Sequence, residues 1–111
     1  MKSFRAHKTS LAETLEQRMQ SKLLLSGQEL AMWFWRAMPN AKAEVESYVS
    51  QDYEVMGYVI SGRAELHVDG KVIPLRPGDS WVVPTGAPHA YAIIEPLTAI
   101  KTCHPPTGKV Y

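Results

Sequence analysis

The hydrophobic positions from Leu30 onward fall into short runs separated by glycine and proline, a pattern typical of an all-β sandwich or barrel. In the run Ala64 to Val68, apolar and polar residues alternate, so the apolar side chains share one face of a strand. Asp69-Gly70 follows directly and predicts a tight hairpin, because glycine readily adopts the positive φ of such a turn. About eight strands of this kind are predicted, as in a small barrel or jelly roll.

A second strand pattern predicts which side chains face inward. The segment Glu44 to Tyr53 places Val45, Val49 and Gln51 on one face of a strand and glutamates on the other. The valine face is therefore expected inside, and the glutamate face is expected in solvent.

The run Leu30 to Ala37 is apolar on both faces. Strand alternation places Trp33 and Trp35 on one face and Phe34 on the other. Two tryptophans on an outward face would form a larger apolar patch than monomers usually expose. The run therefore predicts a homodimer, with ligand stacking on one tryptophan as the alternative.

The first 28 residues support two interpretations. Leu11, Leu15 and Met19 recur at helical spacing, whereas a period-two pattern that also includes Leu15 and Met19 fits an extended arm. The sequence alone does not decide between a short helix and an arm. The predicted domain organisation is an N-terminal arm or short helix at 1–22, a barrel at 23–106 and a C-terminal tail at 107–111.

Composition narrows the class of protein. The 111 residues suit one domain, and the formal net charge of +1 provides no basic excess for binding nucleic acid. Cys103 is the single cysteine, so no internal disulfide is expected. No apolar segment has the length of a signal peptide or a membrane span. A cytoplasmic protein that binds neither nucleic acid nor membrane is therefore expected.

The segment GDSWVVPTGAPH carries fixed residues at a recognisable spacing: Gly78, five residues, Pro84-x-Gly86, two residues, and then His89. This spacing resembles the second sequence motif of the cupin superfamily, and the hairpin around Gly62 resembles the second half of the first motif. The resemblance covers nearly the whole predicted barrel. It implies a small single-domain cupin with an antiparallel jelly-roll β-barrel, in a superfamily whose members commonly dimerise.

The same resemblance implies where a metal would be bound. Metal-binding cupins use two histidines and a carboxylate or amide from the first motif, together with the histidine of the second. Counting back from Gly62 places Val49 and Gln51 at the two histidine positions and Val55 at the carboxylate position. Only His89 is retained, and one imidazole with one amide holds a divalent ion poorly. No metal and no other cofactor is therefore predicted.

Within the superfamily, the sequence looks most similar to cupins that linearise unsaturated uronates during pectin breakdown. That resemblance implies an acidic and an aromatic residue near the substrate, at positions occupied here by Lys101 and Cys103. A nearby arginine position is occupied by Thr107. The substrate groups of that subfamily are not carried over, so its activity is not transferred to this chain.

The side chains predicted to line the barrel make a mainly apolar pocket with a few polar points, which suits a small organic ligand. The predicted ligand-binding residues are Val49, Gln51, Val55, His89, Tyr91, Lys101 and Cys103. Lys101 has two interpretations: a buried amine that binds an anion or acts as a base, or a side chain that extends into solvent. Cys103 is interpreted as a small buried hydrophobe, and His89 as a hydrogen-bonded pocket residue before a metal ligand.

Three functions are compatible with these patterns. The favoured one is a small-molecule binding module that accepts a small organic ligand, anions included, and has no assigned catalytic residue. The second is an isomerase, lyase or oxygenase that acts on a small sugar acid or carbonyl compound through His89, with or without a weakly held divalent metal. The third is a structural dimerising domain whose barrel is filled by side chains.

Overall fold

The computed structural model describes residues 20–39 and 48–106, and these residues form six antiparallel strands. The strands are β1 Gln20–Ser26, β2 Ala31–Ala37, β3 Glu54–Val68, β4 Lys71–Leu75, β5 Ser80–Val83 and β6 His89–His104. No helix occurs in this described part of the chain, and it contains no segment that could cross a membrane as a helix. The all-β antiparallel prediction is therefore confirmed.

Two predictions concern residues that lie mostly outside the described ranges. The choice between an N-terminal helix and an arm falls on residues before Gln20, and the strand predicted over Glu44 to Tyr53 is described only from Tyr48. The domain boundaries stay a prediction, although β1 already begins at Gln20.

The strands form one sheet in the order β1-β2-β6-β3-β4, and β5 pairs with β3 on the same edge as β4. The two central strands are 15 and 16 residues long, and each replaces two strands predicted from sequence. The sequence predicts strand ends at Ser61-Gly62 and Glu95-Pro96, because glycine and proline favour turns, but both are bends within continuous strands. This accounts for the difference between the roughly eight strands expected of such barrels and the six observed in the described residues.

Gly62 is the centre of the bend. The β3–β6 register shifts around Ser61 and Arg63, and Gly62 has a φ of 88°. A β-carbon on Gly62 would overlap the backbone carbonyl of Pro96. The bend separates the part of β3 that pairs with β5 from the part that pairs with β4, and it folds the sheet over its own inner face.

The core lies on this inner face. Ala64 and Leu66 are buried, as the alternation in β3 predicted. Trp33 is also buried and Trp35 packs against the core cluster, so both tryptophans point into the barrel. The predicted outward tryptophan patch is therefore wrong: alternation determines which residues share a face, and here the tryptophan face is the inner one.

The outer face nevertheless carries exposed apolar side chains. One row runs across four paired strands and includes Met32, Met56 and Val82, each more than two fifths exposed. Tyr58 and Ile60 on β3 are also about half exposed. The homodimer stays a prediction, and this face replaces the tryptophans as the surface on which it would rest.

Candidate functional site

A single row of paired residues crosses the sheet at the centre of the barrel. Trp33 on β2 pairs with Lys101 on β6, which pairs with Gly57 on β3, which pairs with Trp81 on β5. Directly paired residues point to the same side of a sheet, so these positions all face inward. Because Gly57 has no side chain, the indole of Trp81 occupies the space above it, next to Lys101.

Lys101 is fully buried at the centre of this row. Its residue is 1% exposed, so its side chain does not extend into solvent. The ammonium nitrogen Nζ lies 4.1 Å from the centroid of the Trp35 ring, in cation–π contact. Burial lowers the pKa of Lys101 to about 7, and the neighbouring Cys103 opposes this shift. Lys101 is therefore a titrating amine at neutral pH.

Tyr91 contacts both Trp35 and Trp81, and the three rings form an aromatic wall. Its ring meets Trp35 edge-on with centroids 4.7 Å apart, and the indole Nε1–H of Trp81 donates a 3.0 Å hydrogen bond to its hydroxyl oxygen. Burial raises the pKa of Tyr91, so its phenol stays protonated at neutral pH. The aromatic wall therefore consists of Trp35, Tyr91 and Trp81, and Lys101 lies against its Trp35 ring.

His89 is held at the other end of the wall, 1% exposed. Its Nδ1–H donates to the Ala87 carbonyl oxygen at 3.0 Å, and its ring meets Tyr91 edge-on at 5.6 Å. Burial lowers the pKa of His89, and the charge of Lys101 lowers it further, against the Ala87 hydrogen bond. The imidazole is therefore neutral at pH 7, with Nε2 as its acceptor nitrogen.

Two buried side-chain donors lack an acceptor among the described residues. Trp33 Nε1 and the side-chain nitrogen Nε2 of Gln51 have no hydrogen-bond partner within residues 20–39 and 48–106. Both residues are more than nine-tenths buried. The backbone of Gln51 accepts a 2.7 Å hydrogen bond from Gly86, which places Gln51 beside the loop that leads to His89. Buried donors are rarely left unpaired, so each of the two is a position where a ligand acceptor would be favourable.

Val49 lies at the open end of the barrel. Its backbone exchanges two 2.9 Å hydrogen bonds with His89, so both side chains point to the same side. Val49 is nevertheless 39% exposed. The expectation of a buried Val49 is therefore wrong, and Val49 pairs with His89 only through an isolated bridge outside the six strands.

A groove of about 380 Å³ lies near the β3–β4 turn, and none of the predicted ligand-binding residues lines it. Val68, which pairs with His89, forms part of its floor. The groove is lined by Val68, Asp69, Lys71, Ile73, Pro84, Ala87 and Pro88. A volume of this size is within the range of small-molecule sites, roughly 300–1,000 Å³.

Val55 and Cys103 form the inward-facing row next to that of Gly57 and Lys101. They pair directly across β3 and β6, and both are buried within the core cluster. Cys103 lies two residues after Lys101 on the same strand and faces the same way, so it contributes apolar packing beside the amine.

The described residues do not suit a divalent metal. Val55 occupies the position implied for a carboxylate ligand, and Nδ1 of His89 is engaged by Ala87. Within residues 20–39 and 48–106, no three His, Cys, Asp or Glu side chains are grouped in a way that could hold an ion. One imidazole nitrogen and one amide are too few donors for a retained ion.

Of the predicted ligand-binding residues, Lys101, His89 and Gln51 are buried, whereas a ligand role for a tryptophan was only the alternative interpretation. Trp33 and Trp35 were assigned to the outer face, and Trp81 was considered only as part of a motif. The pairing of β2 with β6 would have revealed them, because Trp33 is directly opposite Lys101.

Gly57→Ala is expected to displace Trp81 and to destabilise the protein by about 1–3 kcal/mol, because buried overpacking forces neighbouring side chains to move. The new β-carbon would overlap the six-membered ring of Trp81, which is 6% exposed and bonded to Tyr91. Urea unfolding measures the loss. Gly27→Ala is the matched control, since its β-carbon would meet only the Leu30 carbonyl, at 3.4 Å. Equal stability of the two variants would contradict this packing.

Comparison with known proteins agrees with this architecture. Residues 33–101 match the family described as Cupin domain. No curated protein matches the chain in sequence.

Solved structures give the same fold. KdgF from Halomonas sp. superposes with a TM-score of 0.70 at 23% identity, over 80% of this chain and 80% of that one. An RmlC-like cupin from Shewanella frigidimarina gives a TM-score of 0.74 at 18% identity, over 94% and 95%. The EutQ protein of Clostridium difficile gives 0.66 at 17% identity, over 77% of this chain but only 61% of its own length. The predicted superfamily is confirmed, and the chain belongs to the cupin family.

Proposed function

We propose that this cupin binds a small organic carboxylate between the open end of the barrel and Lys101. The observation that carries the proposal is the pair of buried donors, Trp33 Nε1 and Gln51 Nε2, which find no acceptor among the described residues. A buried donor that stays unpaired costs about 1–3 kcal/mol. A ligand oxygen at this place removes that penalty, and a carboxylate offers two such oxygens.

Charge favours an anion over a neutral acceptor. Lys101 shares its row with Trp33, and its ammonium form is destabilised by burial. A carboxylate near Nζ stabilises that charged form and is held by a charge-assisted hydrogen bond. Binding therefore raises the pKa of Lys101 and takes up a proton when the pH is above about 7.

The aromatic side chains near Lys101 suit the apolar part of an organic ligand. Trp35, Tyr91 and Trp81 provide a wall of aromatic rings in mutual contact. Ala87 and Pro88, which directly precede His89, line a groove whose other walls are mainly apolar. Such a site, mostly apolar with a few placed polar groups, is typical of small-molecule recognition.

The test compares carboxylates with their amides, which have the same shape but no charge. Acetate, pyruvate and benzoate, each beside its amide, are titrated while tryptophan fluorescence and melting temperature are recorded. We expect at least one carboxylate to bind about tenfold or more tightly than its amide, because hydrogen bonds to charged groups are worth about 1.5–3 kcal/mol. Equal binding of acid and amide, or no binding by any probe, overturns the proposal.

Trp33→Phe isolates the role of the indole donor. Phenylalanine keeps an aromatic ring in the core but removes the N–H, so carboxylate affinity is expected to fall roughly tenfold. Leu23→Ala is the control, because Leu23 pairs with Trp33 on the neighbouring strand but is 40% exposed. Unchanged affinity in Trp33→Phe would remove this donor from the site.

A further inference from the structure

We propose that the groove near the β3–β4 turn binds a free amino acid with an apolar side chain, at a second site separate from the carboxylate site. Trp33, Gln51 and Lys101, which carry the carboxylate proposal, do not line this groove. The inference therefore goes beyond the proposed function and does not depend on it. The groove offers three features that such a ligand needs: an apolar floor, a preformed wall and two opposite charges.

The floor of the groove is apolar surface that the paired strands β3 and β4 leave in contact with solvent. Val68 on β3 and Ile73 on β4 both line the groove. Ile73 pairs directly with Leu66, which is fully buried, so both side chains point to the same side of the sheet. Ile73 is nevertheless 38% exposed, and β4 is an edge strand of the sheet that the described residues form. A bound apolar side chain would remove this surface from water, which is favourable.

A second wall comes from the loop between β5 and β6, which contributes Pro84, Ala87 and Pro88. The ring of each proline fixes its own φ, so these positions have little backbone freedom. The N–H of Ala87 donates to the Pro84 carbonyl oxygen at 3.2 Å, and the N–H of Gly86 donates to the Gln51 carbonyl oxygen at 2.7 Å. The loop is therefore held in place without a ligand, which lowers the entropy cost of binding.

The β3–β4 turn places two opposite charges at the groove. Asp69 and Lys71 both line it, and they flank Gly70 in the sequence. Asp69 has a φ of 52° and Gly70 a φ of 71°, as in the tight two-residue turns that join antiparallel strands. Within residues 20–39 and 48–106, the carboxylate of Asp69 and the ammonium of Lys71 form no ion pair with each other or with another side chain. Both charges are therefore available to a ligand.

Opposite charges beside an apolar floor are complementary to a zwitterion. A free amino acid carries its ammonium and its carboxylate on the same carbon, so Asp69 can bind the ammonium while Lys71 binds the carboxylate. The ligand side chain is then left to contact Val68 and Ile73. A simple carboxylate would be attracted by Lys71 but repelled by Asp69, and a simple amine would be attracted by Asp69 but repelled by Lys71. Among these three ligand classes, the amino acid alone matches both charges.

The test compares L-leucine with analogues that each lack one feature. The isotope-labelled full chain is titrated at pH 7, and the backbone amide NMR shifts of Ile73 and Ala87 report on the groove. We expect leucine to bind roughly two- to fivefold more tightly than 4-methylpentanoate, which lacks the ammonium, or 3-methylbutylamine, which lacks the carboxylate. Glycine has both charges but no side chain and should bind at least about tenfold more weakly. Equal binding of leucine and the two single-charge analogues, or no binding of leucine, overturns the proposal.

Variants assign the bound leucine to one of the two sites. Lys71→Met and Asp69→Asn should each weaken leucine binding roughly two- to fivefold, and asparagine tolerates the positive φ of Asp69. Glu54→Gln is the matched control, because Glu54 is exposed on β3 and does not line the groove, and it should leave the affinity unchanged. Leucine binding should persist in Lys101→Met. If it is lost there but unaffected by Lys71→Met and Asp69→Asn, leucine occupies the carboxylate site and the groove proposal is wrong.

Discussion

Lys101→Met is expected to abolish carboxylate binding and to raise the melting temperature of the protein. Methionine fills nearly the same space with no charge, so the ligand oxygens lose their cationic partner. Truncating one member of a buried charge pair costs about 2–5 kcal/mol, so affinity should fall roughly 30-fold or more. Calorimetric titration with the best carboxylate from the panel measures the loss.

The stability gain follows from the direction of the pKa shift. Folding lowers the pKa of Lys101 from 10.5 to about 7, so the unfolded chain binds more protons between these values. Wild-type stability therefore rises with pH across this window, and at pH 7 the buried amine destabilises the fold. Lys101→Met removes both effects, and each kcal/mol gained raises the melting temperature by roughly 4–8 °C.

Arg76→Met is the matched control for this prediction. Arg76 is exposed and does not line the groove, so its loss removes the same formal charge without changing the buried site. Its affinity should change by no more than about fivefold, since exposed charge pairs are worth at most about 1 kcal/mol. A Lys101→Met protein that binds normally, or that melts below the wild type at pH 7, would contradict the assignment of a desolvated binding amine.

Gly62→Ala is expected to be the most destabilising of the glycine replacements. The residue has a φ of 88°, and its new β-carbon would overlap the backbone of Pro96 and Leu97 on β6. Backbone atoms cannot move aside as a side chain can, so the bend shared by β3 and β6 must open. We expect a loss of about 3–5 kcal/mol, at the upper end of single replacements.

Gly70→Ala is the control that measures the backbone strain of a positive φ without steric overlap. Gly70 has a φ of 71°, but a β-carbon there would meet nothing within 4 Å. Its replacement should therefore show only the conformational penalty, roughly 1–2 kcal/mol. Urea unfolding of both variants gives the difference. If Gly62→Ala is no less stable than Gly70→Ala, the bend in β3 and β6 does not depend on the close approach of Gly62 to the backbone of Pro96.

The fold could be predicted because its turns and motifs depend on residues that are close together in the sequence. Asp69-Gly70 and the spacing from Gly78 to His89 each depend on a few neighbouring residues, and the structure has β4, β5 and β6 where these signals place them. The breaks predicted in β3 and β6 were wrong for the same local reason. Glycine and proline mark a change of direction, but only long-range pairing decides whether the strand ends or bends.

The candidate site could be predicted only in part. His89, Tyr91 and Lys101 lie on one strand, and their alternation is visible in the sequence. Trp35 and Trp81 reach them from other strands, through a sheet order that no local pattern contains. An apolar run such as Ala31–Ala37 has two possible inner faces, and the choice depends on what packs against it.

Proton uptake on ligand binding tests the central claim most directly. The best carboxylate is titrated by calorimetry at pH 8 in buffers of different ionisation enthalpy. With a pKa of about 7 before binding, Lys101 is mostly neutral at pH 8. The account predicts uptake of close to one proton per ligand, an affinity that weakens up to about tenfold per pH unit above 7, and no uptake in Lys101→Met. Carboxylate binding without proton uptake by the wild type would contradict it.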